Sequence, residues 1–283
     1  MKRPFRRWRF HLLLHAFAWP MAAAAQGHGP AYGLSTPTLG RGGWSIDVAM
    51  MGRFVGSARA VMLRPMLGYG VTADLQVSAS VPLVIEAPSG LPQARGMSRM
   101  PTTRDVEALV GWRFHRTAPG VGSRFESTAY LGADVPLDRR RAGAETAPAL
   151  VGGIVTGYAS RSLYLWVGGL RRQALRVGDD RLGHVTLYSA VVGLRPGAFR
   201  RDYPEPDWRV FLEVLGESAT RTVVDGAPQL NTGGHQLFVG PTVLGLFGSW
   251  GVSGGPAFGV VNSMNGTQPR EAVRFIVNVT WWF

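Results

Sequence analysis

The sequence predicts an all-β protein that folds into an antiparallel transmembrane β-barrel. Three observations lead to this fold class: an export leader, segments of about 10 to 14 residues with apolar side chains at every second position, and an aromatic C-terminal end. Hydrophobic residues make up 46% of the chain, and 38 of its 283 residues are glycine. Apolar residues at period two with frequent glycine favour strands that place one face against lipid.

The first 25 residues have the three parts of a cleaved signal peptide. Lys2 and four arginines precede an apolar stretch at residues 12–19, and Ala22 to Ala25 supply small residues for cleavage. The apolar stretch is shorter than the roughly 20 residues that a membrane-spanning helix needs. We therefore expect a signal peptide at 1–25, a periplasmic N-terminal segment at 26–43 and the barrel at 44–283.

The last strand predicts how the barrel meets the membrane. Phe275, Val277, Val279, Trp281 and Phe283 alternate with mostly polar residues, so one face of this strand is apolar. Aromatic residues gather at the level of the lipid headgroups in outer-membrane barrels. A strand that ends on Trp-Trp-Phe is typical of such a barrel. The ending also resembles the strand by which the barrel-assembly machinery recognises such proteins, so these residues are a predicted assembly signal. The alternative is the buried last strand of a soluble sandwich.

Twelve segments of the mature chain are predicted to be strands. They are residues 44–54, 59–69, 75–85, 104–114, 124–135, 149–158, 162–172, 185–194, 208–217, 236–247, 251–261 and 270–283. An even number places both chain ends in the periplasm, with short turns there and longer loops outside. The link at 195–207 is too long for this rule. Segments six, ten and eleven are apolar on both faces, so a merger or split there would make the barrel one of about ten or fourteen strands.

Charge and cysteine content argue against several functions. The leader carries five of the 30 basic residues and none of the 18 acidic ones, so the net charge of +12 falls to 25 minus 18, or +7, in the mature chain. The basic residues are spread along the chain and form no stripe with aromatic residues, so we expect no nucleic-acid partner. Without cysteine, the chain has neither disulfides nor thiolate metal ligands.

Charged residues within the strands predict a polar interior. A charge on the lipid face costs a few kcal/mol at the midplane, so these side chains should face the lumen. The candidates are Asp47, Arg53, Arg64, Glu107, Arg113, Glu126, Asp134, Arg209, Glu213, Glu217 and Arg274. Two interpretations stay open: a polar pore whose charges steer a small solute, or a closed barrel filled by paired ions.

Little in the sequence supports catalysis. An acyl hydrolase needs a nucleophile beside a histidine, with a third group to orient that histidine. His115 with Thr117 and His184 with Thr186 are the nearest arrangements. No Gly-x-Ser-x-Gly nucleophile elbow is recognised, because that spacing, at residues 251–255, falls inside a predicted strand. We expect that the chain is not an enzyme, with an outer-membrane lipid hydrolase as the less favoured alternative.

A metal site is predicted at the mature N-terminus. Cleavage after Ala25 leaves Gln26, Gly27 and His28. Their free amine, two amide nitrogens and imidazole form a square-planar set suited to Cu(II) or Ni(II). The alternative is a histidine that falls there by chance, and an N-terminal glutamine can also cyclise and lose its amine. We expect no other cofactor.

Several short motifs near the N-terminus resemble a known group of proteins. They are HGPAYGLSTPT at 28–38, GGWS at 42–45, MGR at 51–53, MLR at 62–64 and YGVTADLQV at 69–77. With the last strand, they resemble Gram-negative outer-membrane barrels described as transporters, some of which are grouped in the phenol-degradation-pathway (MetA-pathway) barrel family. The resemblance implies a barrel in the outer membrane and carries over no catalytic residue.

These observations together predict a porin-like channel or transporter in the outer membrane of a Gram-negative bacterium. It would pass or bind a small solute, such as an aromatic or metal-linked compound. Its expected partners are outer-membrane lipid, the barrel-assembly machinery and the solute. The alternative is a non-conducting barrel with a structural or metal-sequestering role.

Overall fold

The structure is a computed structural model that describes residues 29–86, 105–137, 143–201 and 205–283. Its strands are β1 (Trp44–Val55), β2 (Ala58–Gly70), β3 (Leu75–Ser80), β4 (Leu83–Glu86), β5 (Asp105–Gly120), β6 (Ser123–Pro136), β7 (Ala149–Ala159), β8 (Leu163–Ala174), β9 (Arg176–Val177), β10 (Asp180–Arg181), β11 (Val185–Leu194), β12 (Asp207–Ala219), β13 (Val223–Val224), β14 (Ala227–Pro228), β15 (Gly234–Phe247), β16 (Trp250–Met264) and β17 (Glu271–Trp282). Two short 3-10 helices, Gly143–Thr146 and Gly197–Phe199, lie in links between strands. In the described ranges, no helix has the length and apolar character to cross a membrane.

The long antiparallel strands close into a ring. β1 pairs with β2 on one side and with β17 on the other, and the remaining neighbours follow chain order. β3 and β4 are two parts of one wall strand, interrupted at Val81 and Pro82, where proline has no N–H to donate to the ladder. Counted this way, the described chain forms a closed barrel of twelve strands. The predicted all-β barrel and its strand count are confirmed.

Side chains alternate between the inner and outer walls of this barrel. In β12, Phe211 and Glu213 are 2% and 0% exposed, whereas Leu212 between them is 52% exposed. The same alternation leaves large apolar side chains on the outer wall, such as Leu131, which is 69% exposed. Successive residues of a strand point to opposite faces, so the period-two pattern of the sequence sorts directly into the two walls.

The two ends of the barrel differ in their links. At the end named here the turn end, the links are residues 71–74, 121–122, 160–162, 195–206 and 248–249. At the other end, named the loop end, most links are longer, and two of them contribute β9, β10, β13 and β14 to a small second sheet. The long link at 195–206 is a feature of the fold: Arg195 and Asp207 form an ion pair of 2.6 Å across its base.

The N-terminal part of the described chain lies inside the ring. This inner segment, residues 29–39, buries Tyr32, Leu34, Thr36 and Thr38. Tyr32 and Leu34 belong to two separate hydrophobic clusters, each completed by wall residues. The inner segment belongs to the stretch at 26–43 that was predicted to be periplasmic. In the structure, residues 29–39 enter the barrel from the turn end and fill part of the lumen.

Candidate functional site in the barrel interior

The structure places all the predicted lumen residues on the inner wall. Most of them are buried, and most form ion pairs with one another or with inner-wall residues that the sequence did not single out. The predicted lumen residues are Asp47, Arg53, Arg64, Glu107, Arg113, Glu126, Asp134, Arg209, Glu213, Glu217 and Arg274. They separate into a network near the loop end, a network near the turn end, and a cavity between the two.

The network near the loop end is centred on Arg274. Its guanidinium donates to Glu217, with Nη2 2.8 Å from Oε2, and also to Glu271. Arg53 donates to Oε2 of Glu271, which also accepts from Arg274 Nη2 at 3.1 Å, so two arginines and two glutamates alternate in space. All four side chains are at least nine-tenths buried. Buried charges are tolerated when each has a partner of opposite charge. Each of these four side chains has such a partner, although the buried Nε of Arg53 has no hydrogen-bond partner in the described structure.

A second network lies near the turn end of the lumen. Arg113 donates from Nη1 to Glu126 at 3.0 Å and from Nη2 to Asp74 at 2.6 Å. The same nitrogen donates to the carbonyl of Ala73 in the turn that follows β2. Glu126 also accepts a hydrogen bond of 3.2 Å from Thr36 of the inner segment. This network therefore joins the wall, a turn and the inner segment.

The remaining predicted charges form smaller groups on the inner wall. Arg64 pairs with Glu107, and Asp134 pairs with Arg172, which also lies near Asp105. Arg209 pairs with Asp207 at 3.4 Å, and its guanidinium carbon lies 5.0 Å from the centroid of the Tyr164 ring. These pairs support the interpretation that ions fill part of the interior.

Asp47 and Glu213 are held by hydrogen bonds of another kind. Asp47 accepts from Thr280, with Asn278 close by. Glu213 accepts from the backbone N–H groups of three successive residues of the inner segment: Ala31 at 2.8 Å, Tyr32 at 2.9 Å and Gly33 at 2.6 Å. Its Oε1 also accepts from Thr242 on the neighbouring β15. The wall thus binds the inner segment through hydrogen bonds to its backbone.

Further contacts fix the rest of the inner segment. The N–H of Leu34 donates to Ser189 at 3.0 Å, and the Tyr130 hydroxyl donates to the Ser35 carbonyl at 2.9 Å. Thr36 contacts two strands, since its carbonyl accepts from Thr128 of β6 at 2.7 Å and its hydroxyl accepts from the Trp166 ring N–H of β8 at 3.2 Å. These wall residues lie on three strands, β6, β8 and β11, and each contact is a hydrogen bond from or to a wall side chain. The inner segment is therefore bound as an extended peptide along the lumen.

The phenol of Tyr32 lies deep in the lumen. The pKa of Tyr32 is raised above its usual value, mainly because the phenol is buried and, to a smaller extent, because the negatively charged Glu213 lies nearby. The phenol therefore stays protonated, and its hydroxyl donates to the carbonyl of Gly255 on β16 at 2.8 Å. This bond ties the inner segment to a strand that Glu213 does not reach.

A cavity of about 300 Å³ remains between the inner segment and the wall. Its lining includes Asp47, Arg64, Glu107, Glu217 and Arg274. Apolar residues of the inner segment and of the inner wall of the barrel complete the lining. Arg64 and Arg274 are engaged with carboxylates, so their charge is largely balanced within the lining. The interior therefore combines the two interpretations left open by the sequence: paired ions fill part of it, and a charged cavity remains.

The predicted metal site, Gln26, Gly27 and His28, lies outside the described residues. Within the parts of the chain that the structure describes, no group of three or more His, Asp or Glu side chains could hold a metal ion. Copper or nickel binding at the N-terminus stays a prediction.

Two histidines of the described chain, His115 and His184, are the nearest approximations in the sequence to a catalytic pair. His184 Nε2 lies 3.0 Å from Gln173 Nε2, while Thr186 accepts a hydrogen bond from Arg171. His115 packs edge-on against Phe125. His184 and His115 are therefore engaged with Gln173 and Phe125.

The C-terminal strand has the predicted division of faces. Val277, Val279, Trp281 and Phe283 are exposed on the outer wall, and Trp281 is 58% exposed. Phe275 lies on the same face, with its ring 6.0 Å from that of Phe54. The role of these residues as an assembly signal stays a prediction.

Comparison with known proteins supports the fold. No protein-family model matches the sequence, and a search of curated proteins finds no match. The structure is similar to the crystal structure of an outer membrane channel from Pseudomonas putida F1, with a TM-score of 0.60 and 12% identity over 91% of this chain and 99% of the other. It also matches LpxR from Salmonella typhimurium at 11% identity over 84% of this chain and 100% of the other. The TM-score of that second match is 0.44, which is too low to carry an argument.

Proposed function

We propose that this protein is an outer-membrane barrel that binds a small solute in its lumen and passes it across the membrane. The observation that carries the proposal is the charged cavity of about 300 Å³ inside a closed ring of strands. A closed barrel has no unpaired edge, so it is one of the two backbone arrangements that can span a bilayer. The fold it shares with an outer membrane channel of Pseudomonas putida F1 supports the same function.

The outer wall supports a membrane location. Exposed Leu131, Ile154, Val167 and Leu212 lie near the middle of their strands, and Trp281 lies at the turn end. Monomeric soluble proteins rarely expose a continuous apolar surface of more than a few hundred Å². A bilayer solvates such a belt, and aromatic residues at its edge suit the headgroup region. The outer membrane is the bilayer in which exported barrels of this kind reside.

The size and lining of the cavity limit the solute. A volume of about 300 Å³ is at the lower end for pockets that hold drug-sized ligands. Asp47 has Thr280 and Asn278 as hydrogen-bond partners and lines the cavity, so it offers an acceptor to the solute. The apolar lining, including Leu109 and Leu170, suits a solute that also has an apolar face, such as the aromatic compounds expected from the sequence.

Solute flux through the refolded protein tests this proposal. We expect discrete openings in a planar bilayer, with a cation-to-anion permeability ratio that falls when Asp47→Asn removes a lumen carboxylate. Glu86→Gln makes the same chemical change on an exposed side chain outside the lumen and is the matched control. Absence of openings in the wild type and in every lumen variant would overturn the proposal.

The second candidate is a non-conducting barrel. It is favoured by the inner segment, which is buried in the lumen and fills part of it. In that case the protein would bind a solute or a metal ion without passing it. Solute binding measured by calorimetry without any conductance would support this candidate. A lipid-turnover assay on the refolded protein in lipid vesicles tests the expectation that the protein is not an enzyme.

A further inference from the structure

We propose that the inner segment is a gate and that Glu213 is the latch that holds it closed. This inference rests on the proposed function, because a gate has a purpose only if the lumen conducts. The inner segment lines the cavity from Gly29 to Leu39, so its position decides whether a path through the lumen exists.

The partners of Glu213 set it apart from the other buried carboxylates. Glu126, Glu217 and Glu271 each contact an arginine of the wall. Among the described residues, Glu213 has its hydrogen bonds with three backbone N–H groups of the inner segment and with Thr242. Hydrogen bonds to an ionised acceptor are about twice as strong as neutral ones. Three of the four that hold this carboxylate come from the inner segment, so its main role is to hold that segment.

Departure of the inner segment would expose Glu213 to whatever replaces it. A buried carboxylate that loses its donors is strongly destabilised unless water enters. The dry, closed state and the hydrated, open state are therefore the two ways to satisfy this side chain. A partly displaced segment in a dry lumen leaves the charge without donors. This makes Glu213 a switch between two states and disfavours intermediate positions of the segment.

The barrel does not need the inner segment for its own ladder. The ring closes through the β1–β17 and β1–β2 pairings, which begin at Trp44 and Ser45, after the inner segment has ended. The segment binds the wall mainly through side-chain hydrogen bonds, at Glu213, Ser189 and Tyr130 among others. Its release would cost those contacts and the burial of Tyr32 and Leu34, and would leave the strands paired.

A glycine-rich turn gives the segment a hinge at the turn end. Gly40, Gly42 and Gly43 separate it from β1, and Gly42 has a φ of 76°, a conformation that other residues adopt with strain. The turn is fixed to the barrel by hydrogen bonds between Gly42 N–H and Gly70 O and between Gly70 N–H and Gly43 O. The hinge therefore stays in place while residues 29–39 move.

Thiol labelling tests the latch without any measurement of flux. The chain has no cysteine, so Leu34→Cys places a single thiol at a buried position of the inner segment. We expect Glu213→Ala to raise the labelling rate of this thiol by on the order of tenfold or more, since the open state becomes more populated. Glu86→Gln in the same background should leave the rate unchanged. A labelling rate that Glu213→Ala does not change would overturn the latch.

A tether tests the gate. A Cβ atom built at Gly33 would lie 2.4 Å from Val191 Cγ2, so the Cβ atoms of Gly33→Cys and Val191→Cys come within about 4 Å, as a disulfide requires. In the Glu213→Ala background we expect the oxidised tether to abolish conductance and a reductant to restore it. Each single cysteine variant should conduct in both conditions. Conductance that persists through the oxidised tether would overturn the gate.

These readouts separate the two proposals. Faster labelling without conductance in any variant would support the latch and overturn the solute pathway. Conductance that is equal in wild type and Glu213→Ala would support the pathway and overturn the gate. Heat-modifiable gel mobility reports whether each variant folds. If Glu213→Ala does not fold, Thr242→Val, which removes one donor to the same carboxylate, should give a smaller increase in labelling.

Discussion

The guanidinium carbon of Arg274 lies 3.8 Å from the centroid of the Phe238 ring. The same guanidinium donates to Glu217 and Glu271, so its face is covered by an aromatic ring and its edges by carboxylates. A cation over an aromatic ring is attracted by the ring quadrupole, most strongly when both are removed from water. Arg274 therefore links three separate strands, β12, β15 and β17, near the loop end of the barrel.

Replacement of Arg274 by methionine should destabilise the barrel strongly. The change removes the arginine that pairs with the buried Glu217 and leaves Glu271 paired with Arg53. Removal of one partner of a buried pair typically costs about 3–5 kcal/mol. Urea unfolding of the protein in lipid vesicles measures the free energy. Arg59→Met is the control, because the Arg59–Glu86 pair is exposed and such a pair contributes about 1 kcal/mol or less. Equal effects of the two variants would contradict the structural role of Arg274.

A charge on the outer wall should reveal the bilayer. Leu131 lies near the middle of β6 and is 69% exposed. Leu131→Arg should cost about 2–4 kcal/mol if this position faces the bilayer midplane, whereas an exposed position in water would change by less than about 0.5 kcal/mol. Vesicle unfolding again provides the measurement. Val121→Arg, in the link at the turn end, should be nearly neutral, and a neutral Leu131→Arg would argue against a membrane location.

The barrel could be predicted from the sequence because one physical rule governs every strand. An inward residue is followed by an outward one, so apolar and polar residues alternate wherever the outer face needs to be apolar. Leu212 between Phe211 and Glu213 shows that rule in the structure. The ion pairs could not be predicted, since Arg274 and Glu217 are 57 residues apart in the chain and meet only when the ring closes.

Two features of the interior escaped the sequence for identifiable reasons. Glu271 lies an odd number of residues from Arg274, so strict alternation places the two on opposite walls. A bulge between Phe54 and Val55, opposite Val273 and Glu271, shifts the register and turns Glu271 inward. The inner segment has no strand or helix period, so its place in the lumen depends on distant partners such as Glu213 and Ser189.

Acid should weaken the loop end through His184. Burial, followed by the positive charges of Arg181 and Arg171, lowers the pKa of His184 below its usual value. The unfolded chain takes up a proton at about pH 6.5, while the folded chain resists it, so the stabilising contribution is present above that pH and is lost as pH falls through the folded pKa. An NMR titration of the imidazole should show a pKa that rises on Arg181→Gln. His184→Gln should remove this part of the pH dependence, and an unshifted imidazole titration would contradict the prediction.

Alkali should release the inner segment through Tyr32. The phenol has a raised pKa because it is buried and because Glu213 lies nearby, so the folded state holds its proton more tightly than the unfolded chain does. The docking energy that depends on this proton is therefore fully present below about pH 10 and is lost as pH rises through the folded pKa. In a tyrosinate absorbance titration, the difference between wild type and Tyr32→Phe should show one tyrosine that ionises later than an exposed phenol. Glu213→Gln should make that tyrosine ionise earlier, because it removes the negative charge beside the ring. A Tyr32 that titrates like an exposed phenol in the wild type would mean that water reaches it, and the inner segment would then not be docked in the lumen.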